Sequence, residues 1–215
     1  MTQLKTLAAI CAAAALFGAT GAAQAAACST FGAGVNAGTS STADVSYNGT
    51  DSTACVVSAV NPQQGSDGNI SGFSGSFGSD WDLLAKIDAN GLVNGGNPIV
   101  YNGVTFTSSI SGLPGTGGSW TLSSDQGVTL DLVFAMHASN RSGAFMFDDL
   151  GLVSGGTGSW AINWLNGGGQ VPNYSNLTLF VRDVVVTPVP EPETYALLLA
   201  GLAAVGFIAR RRRPD

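Results

Sequence analysis

Through the middle of the chain, apolar and polar residues alternate with a period of two. In the run around residue 130, Leu130, Leu132 and Phe134 fall on one face. Leu177, Leu179 and Val181 share another face, and Phe145 and Phe147 flank Met146 in the same way. The pattern predicts strands over 43–47, 54–60, 81–88, 103–110, 119–123, 128–138, 143–148, 158–164 and 176–186. Between them lie Asn48-Gly49, Asp67-Gly68, Asn90-Gly91, Asn94-Gly95-Gly96, Pro114-Gly115 and Asn166-Gly167-Gly168-Gly169, all turn chemistry. About nine strands joined by frequent turns predict an all-β domain: an antiparallel β-sandwich, jelly-roll-like. No repeat period is visible. Residues 65–79 are rich in Gly and Ser, with Phe73 and Phe77 four apart, and read as a long loop or an edge hairpin.

The alternation stops at both ends. Lys5 precedes an apolar run over 7–17, and Ala23-Gln24-Ala25 has the small-x-small form of a signal-peptidase site. Ala25-Ala26-Ala27 offers the same form two residues on. Ala25, three before Cys28, stands where a lipoprotein signal carries a larger apolar residue, so the reading is a cleaved signal peptide over 1–25. At the other end, residues 194–209 are uncharged and are followed by Arg210, Arg211, Arg212 and Arg213. Sixteen helical residues rise roughly 24 Å, slightly short of the roughly 30 Å hydrocarbon core. Long arginine stems reach the interface and make up the difference. The expectation is a transmembrane helix with its Arg end in the cytoplasm and residues 26–187 outside.

Removing the ends changes the charge picture. The whole chain carries a net charge of −6. Residues 26–190 hold only Lys86, Arg141 and Arg182 against eleven aspartates, a net −8. That excludes a nucleic-acid partner, since such binding neutralises phosphates with Lys and Arg. Of three cysteines, Cys11 lies in the N-terminal apolar run, which leaves Cys28 and Cys55 as an even pair in an exported domain. They predict one disulfide.

Catalytic chemistry is thin. His137 is the single histidine and no Gly-x-Ser-x-Gly elbow accompanies it. It reads as a strand-end histidine facing solvent or a neighbour. One histidine and two paired cysteines do not make a zinc site. Residues 26–190 contain no Glu, which argues against a glycosidase pair, although Asp80 and Asp82 share a strand face. Asp67-Gly68-Asn69 and Asp148-Asp149 could offer oxygens to calcium, but turns favour the same residues. No cofactor is expected. Trp160 and Trp164, four apart, are candidates for stacking on a polysaccharide if their rings are exposed; core packing is the ordinary role of such rings.

The C-terminal segment resembles the PEP-CTERM sorting segment over about 188–213. Pro190, Glu191 and Pro192 fit its box, Gly201 and Gly206 lie in its helix, and Arg210 to Arg213 form its basic cluster. The resemblance implies processing by an exosortase in a Gram-negative bacterium that makes exopolysaccharide. The tail would be cut near the box, and this chain would be the substrate. Residues 81–88 and 132–138 are also similar, more loosely, to strands of PEP-CTERM proteins without assigned function. The expected function is a non-enzymatic cell-surface or extracellular-matrix protein, handled by signal peptidase and exosortase and held meanwhile in the membrane by its C-terminal helix. The alternative is a carbohydrate-binding module acting on exopolysaccharide.

Overall fold

The structure is a computed structural model that describes residues 24–73, 77–152, 155–187 and 192–211. Twelve strands form two six-stranded sheets. Sheet one contains β1 (Ser29–Phe31), β4 (Ala54–Ser58), β5 (Asp82–Ile87), β9 (Val128–Ala138), β10 (Arg141–Leu152) and β12 (Asn176–Val186), in the order β1-β4-β10-β9-β12-β5. Sheet two contains β2 (Val45–Tyr47), β3 (Thr50–Asp51), β6 (Ile99–Tyr101), β7 (Val104–Ile110), β8 (Gly117–Ser124) and β11 (Thr157–Ala161), in the order β3-β2-β11-β8-β7-β6. Every pairing is antiparallel except β1 with β4. A helix, α1 (Pro192–Arg211), follows.

Each of the nine predicted strands has a counterpart, and β9 and β12 have the predicted bounds. The count is nevertheless twelve, not nine. The additions are β1, β3 and β6, of two or three residues each, and each lies at the edge of its sheet. A strand that short cannot show an alternation, and its pairing comes from the neighbour it lies against. The first predicted strand is also shortened, because Thr42–Asp44 form a 3-10 turn before β2. The β7–β8 and β9–β10 connections are hairpins that each stay within one sheet.

The sheets pack face to face through one apolar core. Leu130, Leu132, Phe134 and Met136 of β9 meet Trp120 and Leu122 of β8 and Val104 and Phe106 of β7. The Trp120 and Phe134 rings lie 4.7 Å apart. A glycine makes room for the indole. Gly158 of β11 pairs with Trp120, and a Cβ at 158 would lie 2.2 Å from Trp120 Nε1. Gly143 of β10 stands in the same relation to Trp164, at 2.5 Å from Cζ3.

Sheet one is apolar on its other face as well. Val133, Ala135, Ala144, Val56 and Phe180 point away from sheet two and are covered by Phe73 and Phe77. The described residues of the Gly/Ser-rich segment form a long loop, the first of the two expected alternatives, with a 3-10 turn at Ser71–Phe73, and Phe73 and Phe77 make it a lid on sheet one. Gly68 approaches so closely that a Cβ would sit 2.8 Å from the Phe180 ring, at a φ of +73°.

Cys28 and Cys55 form the expected disulfide. It closes a loop of 27 residues in sequence separation, within which the chain leaves sheet one, forms β2 and β3 in sheet two, and returns. In the loop-entropy account such a bridge stabilises by about 3–4 kcal/mol. Reduction should therefore lower the melting temperature by about 10 °C, measured by calorimetry with and without reductant. Gly158→Ala should destabilise by about 1–3 kcal/mol, because the methyl and the Trp120 indole claim one volume. Denaturant titration beside Gly151→Ala, where a Cβ meets nothing within 4 Å, separates crowding from a general effect of alanine.

Candidate functional site

β12 ends at Val186 and α1 begins at Pro192. Pro192 opens the helix at a position where its missing N–H is not needed. The Leu197, Leu198, Leu199, Leu202, Val205, Phe207 and Ile208 side chains are exposed. Arg210, also exposed, begins the basic end. The predicted apolar span 194–209 thus lies inside a 20-residue helix that also contains Glu193, Arg210 and Arg211. Among the described residues, no helix is long and apolar enough to cross a membrane. The expected transmembrane helix over 194–209 is therefore not shown by the structure. Pro190, Glu191, Arg212 and Arg213 lie outside the described residues.

The family model for the PEP-CTERM protein-sorting motif matches residues 188–213. The chain carries a PEP-CTERM sorting motif. The motif implies exosortase-dependent sorting of an extracellular protein, with exosortase as the processing partner. Comparison with curated proteins and with solved structures gives no match for the chain.

At the other end of this PEP-CTERM chain, Ala23 and most of the predicted signal peptide lie outside the described residues. Beyond Ala25 the chain is already in the fold. Ala26 N donates to Thr42 Oγ1 at 3.2 Å, Thr42 N donates to Ala26 O at 2.9 Å, and Ala27 bridges to Ser41. A cut after Ala27 would remove these contacts, whereas a cut after Ala25 keeps them.

Trp160 and Trp164 do not form a stacking platform. They are 2% and 0% exposed. Trp160 donates from Nε1 to Ser111 O at 3.0 Å and packs on Tyr174 at 5.6 Å between ring centroids. Trp164 lies beyond the end of β11, against Phe145. Spacing alone could not tell the inner face from the outer one. The glycines at 118 and 143, where a Cβ would lie 2.9 Å from Trp160 Nε1 and 2.5 Å from Trp164 Cζ3, were the available signal.

His137 is half-buried, and burial holds its imidazole below the usual histidine value. Ser142 Oγ donates to Val60 O at 2.6 Å, so its single proton is committed. His137 Nδ1, 2.8 Å from that oxygen, must then be the donor. A serine that receives a proton from histidine is the reverse of a nucleophile facing its base. The pair fixes the β9–β10 turn to the start of the lid segment.

The carboxylates gather where sheet one is irregular. Opposite Asp131 of β9, both neighbouring strands slip register, between Phe147 and Leu150 and between Arg182 and Val185. Asp131 fills the gap: it accepts from Asp149 N at 2.9 Å and from Arg182 Nε at 2.8 Å. Arg182 also donates to Phe77 O and Ser79 O and lies 4.3 Å from the Trp81 ring centroid. It therefore ties the lid to the sheet. Beside this clasp, Asp148, Asp149, Asp51 and Tyr47 line an open cleft of about 240 Å³. Asp131 pushes the Asp148 carboxyl above its ordinary value, with smaller contributions from burial and Asp149. Among the described residues, no group of three or more His, Cys, Asp or Glu side chains is placed to hold a metal ion. Asp67, Gly68 and Asn69 form a turn in which Asn69 N donates to Pro62 O.

The raised Asp148 carboxyl gives a signed prediction. A group whose folded value lies above its unfolded one opposes folding once ionised. The cost is absent below the unfolded carboxylate value of about 3.8 and develops as pH rises through it to the folded value. Asp148→Asn should therefore raise the melting temperature at neutral pH and leave it unchanged near pH 3. Asp67→Asn, an equal change in net charge away from Asp131, should raise it less at neutral pH.

Proposed function

We propose that this is an exosortase-sorted cell-surface or extracellular-matrix protein of a Gram-negative bacterium, whose β-body does not itself catalyse a reaction. The observation that carries the reading is the sorting motif over 188–213. In this account a signal peptide over 1–25 exports the chain. The C-terminal helix holds it at the inner membrane by its apolar residues, with the arginines on the cytoplasmic side. Anchorage is transient and ends with the cut near Pro190-Glu191-Pro192. Pro190 lacks the N–H that continuing a helix or joining a sheet ladder would use, which favours recognition of the box by the processing enzyme. The non-catalytic part of the reading is supported by His137, whose proton points at Ser142, and by the buried tryptophans.

Intact mass of the protein from its host's surface and medium tests the reading. The expected species begins at Ala26, ends near the box, and is two hydrogens lighter than its dithiol form. Glu191→Gln should leave the tail attached and the protein in the membrane fraction. A native species that keeps residues 194–215 would overturn processing and leave the tail as an anchor alone.

A further inference from the structure

Sheet two has one face in the core and one in solvent, and the solvent face is unlike the rest of the surface. Strands β2, β6, β7, β8 and β11 contain no Asp, Glu, Lys or Arg; the charge in sheet two is Asp51 of the two-residue edge strand β3, which faces Ser46. Every strand of sheet one longer than five residues carries charge. On the outward positions of sheet two stand hydroxyls, aligned across strands by register. Ser46 faces Ser159, which faces Ser119; Thr157 faces Thr121, which faces Ser109. Ser123 and Thr107 continue the series. No register shift interrupts any pairing in sheet two, whereas sheet one has three. The result is a regular face with rows roughly 4.8 Å apart across strands and roughly 6.8 Å apart along them.

The hydroxyls close into pairs. Ser46 Oγ lies 2.8 Å from Ser159 Oγ, Ser109 Oγ 2.7 Å from Thr121 Oγ1, and Ser111 Oγ 2.7 Å from Ser119 Oγ. In each pair either oxygen can be the donor. In the Ser46–Ser159 and Ser109–Thr121 pairs, whichever donates, the other keeps an O–H to offer outward, and both keep lone pairs; Ser111 Oγ also donates to Ser119 O at 3.3 Å. Each of the first two pairs can therefore present a donor or an acceptor at nearly the same place by reversing.

We infer that this face binds a neutral, polyhydroxylated glycan chain laid across the strands. The chemistry selects the occupant. An anionic partner would require Lys or Arg and a cationic one a set of carboxylates, and the face offers only Asp51 at one edge. An apolar partner would leave the remaining O–H of each pair without an acceptor, at a cost. A sugar chain carries hydroxyls that both donate and accept and no charge, so it matches reversible pairs and is not repelled by a body of net −8. The inference deepens the surface-or-matrix reading and rests on export of the body, but not on the cut in the tail.

The test is affinity electrophoresis of the full chain, kept soluble in non-ionic detergent, in native gels containing hydroxyethylcellulose, dextran, galactomannan or anionic polygalacturonate. Retardation by a neutral glycan and not by polygalacturonate is expected. The triple exchange Ser119→Ala, Thr121→Val, Ser159→Ala should weaken it at least about tenfold, as loss of two or more hydrogen bonds requires. Asp67→Asn, on the lid of sheet one, should not. A second variant, Thr121→Asp alone, should also abolish retardation while the melting transition stays cooperative. Retardation by none of the neutral glycans, equal retardation of the triple variant, or retardation by polygalacturonate alone would overturn the proposal. So would a concentration-dependent dimer in sedimentation that the triple variant dissolves, which would make the face a self-interface. None of these outcomes bears on tail processing, which the mass of the host-derived protein reports separately.

Discussion

Strand β9 is apolar on both faces. Leu130, Leu132, Phe134 and Met136 face sheet two, while Val133 and Ala135 face the other way. A strand buried on both sides cannot lie on the surface of a two-layer sandwich, so a third layer has to come from the connections. The segment between β4 and β5 supplies it. It needs little regular structure to do so: two phenylalanines at 0% and 3% exposure, a glycine thin enough to pass Phe180, and an anchor. The anchor is Arg182, which reaches the lid's carbonyls only because Asp131 holds its other side. The buried ion pair, the paired bulges and the acidic cleft beside them all follow from the need to hold that layer down.

The division of labour between the sheets follows as well. Sheet one, covered on both sides, carries the irregularities: the register shifts, the titratable groups and the parallel edge strand. Sheet two, covered on one side, alternates cleanly and stays regular. Its inner positions hold Trp120, Leu122, Val104 and Phe106, and its outer positions hold Ser and Thr.

How much of this was legible in the sequence depends on how far each signal extends. Long alternating runs placed β9 and β12 to the residue, since eleven positions leave little freedom in period or phase. The strands of two or three residues were not legible, because they exist only by pairing with a neighbour distant in sequence. Phe73 and Phe77 were visible, but a lid is a tertiary fact and nothing local distinguishes it from a loop. Trp160 and Trp164 illustrate the same limit: spacing gave them a shared side, and burial was decided by glycines on other strands. The sorting segment was read in full from sequence, because its information is linear: a box, an apolar run and a basic end in fixed order. The hydroxyl face sat in plain alternation at Thr105, Thr107 and Ser109 and at Ser119, Thr121 and Ser123, yet only register shows that the two series lie side by side.

The disulfide has one more consequence. In the folded body its two sulfurs meet where β1 lies against β4, and the chain between them visits the opposite sheet. A thiol pair stays reduced in the cytoplasm and oxidises outside it. The oxidation state of Cys28 and Cys55 is therefore a postmark. A molecule with the bridge has been outside the cytoplasm, whatever fraction it is found in.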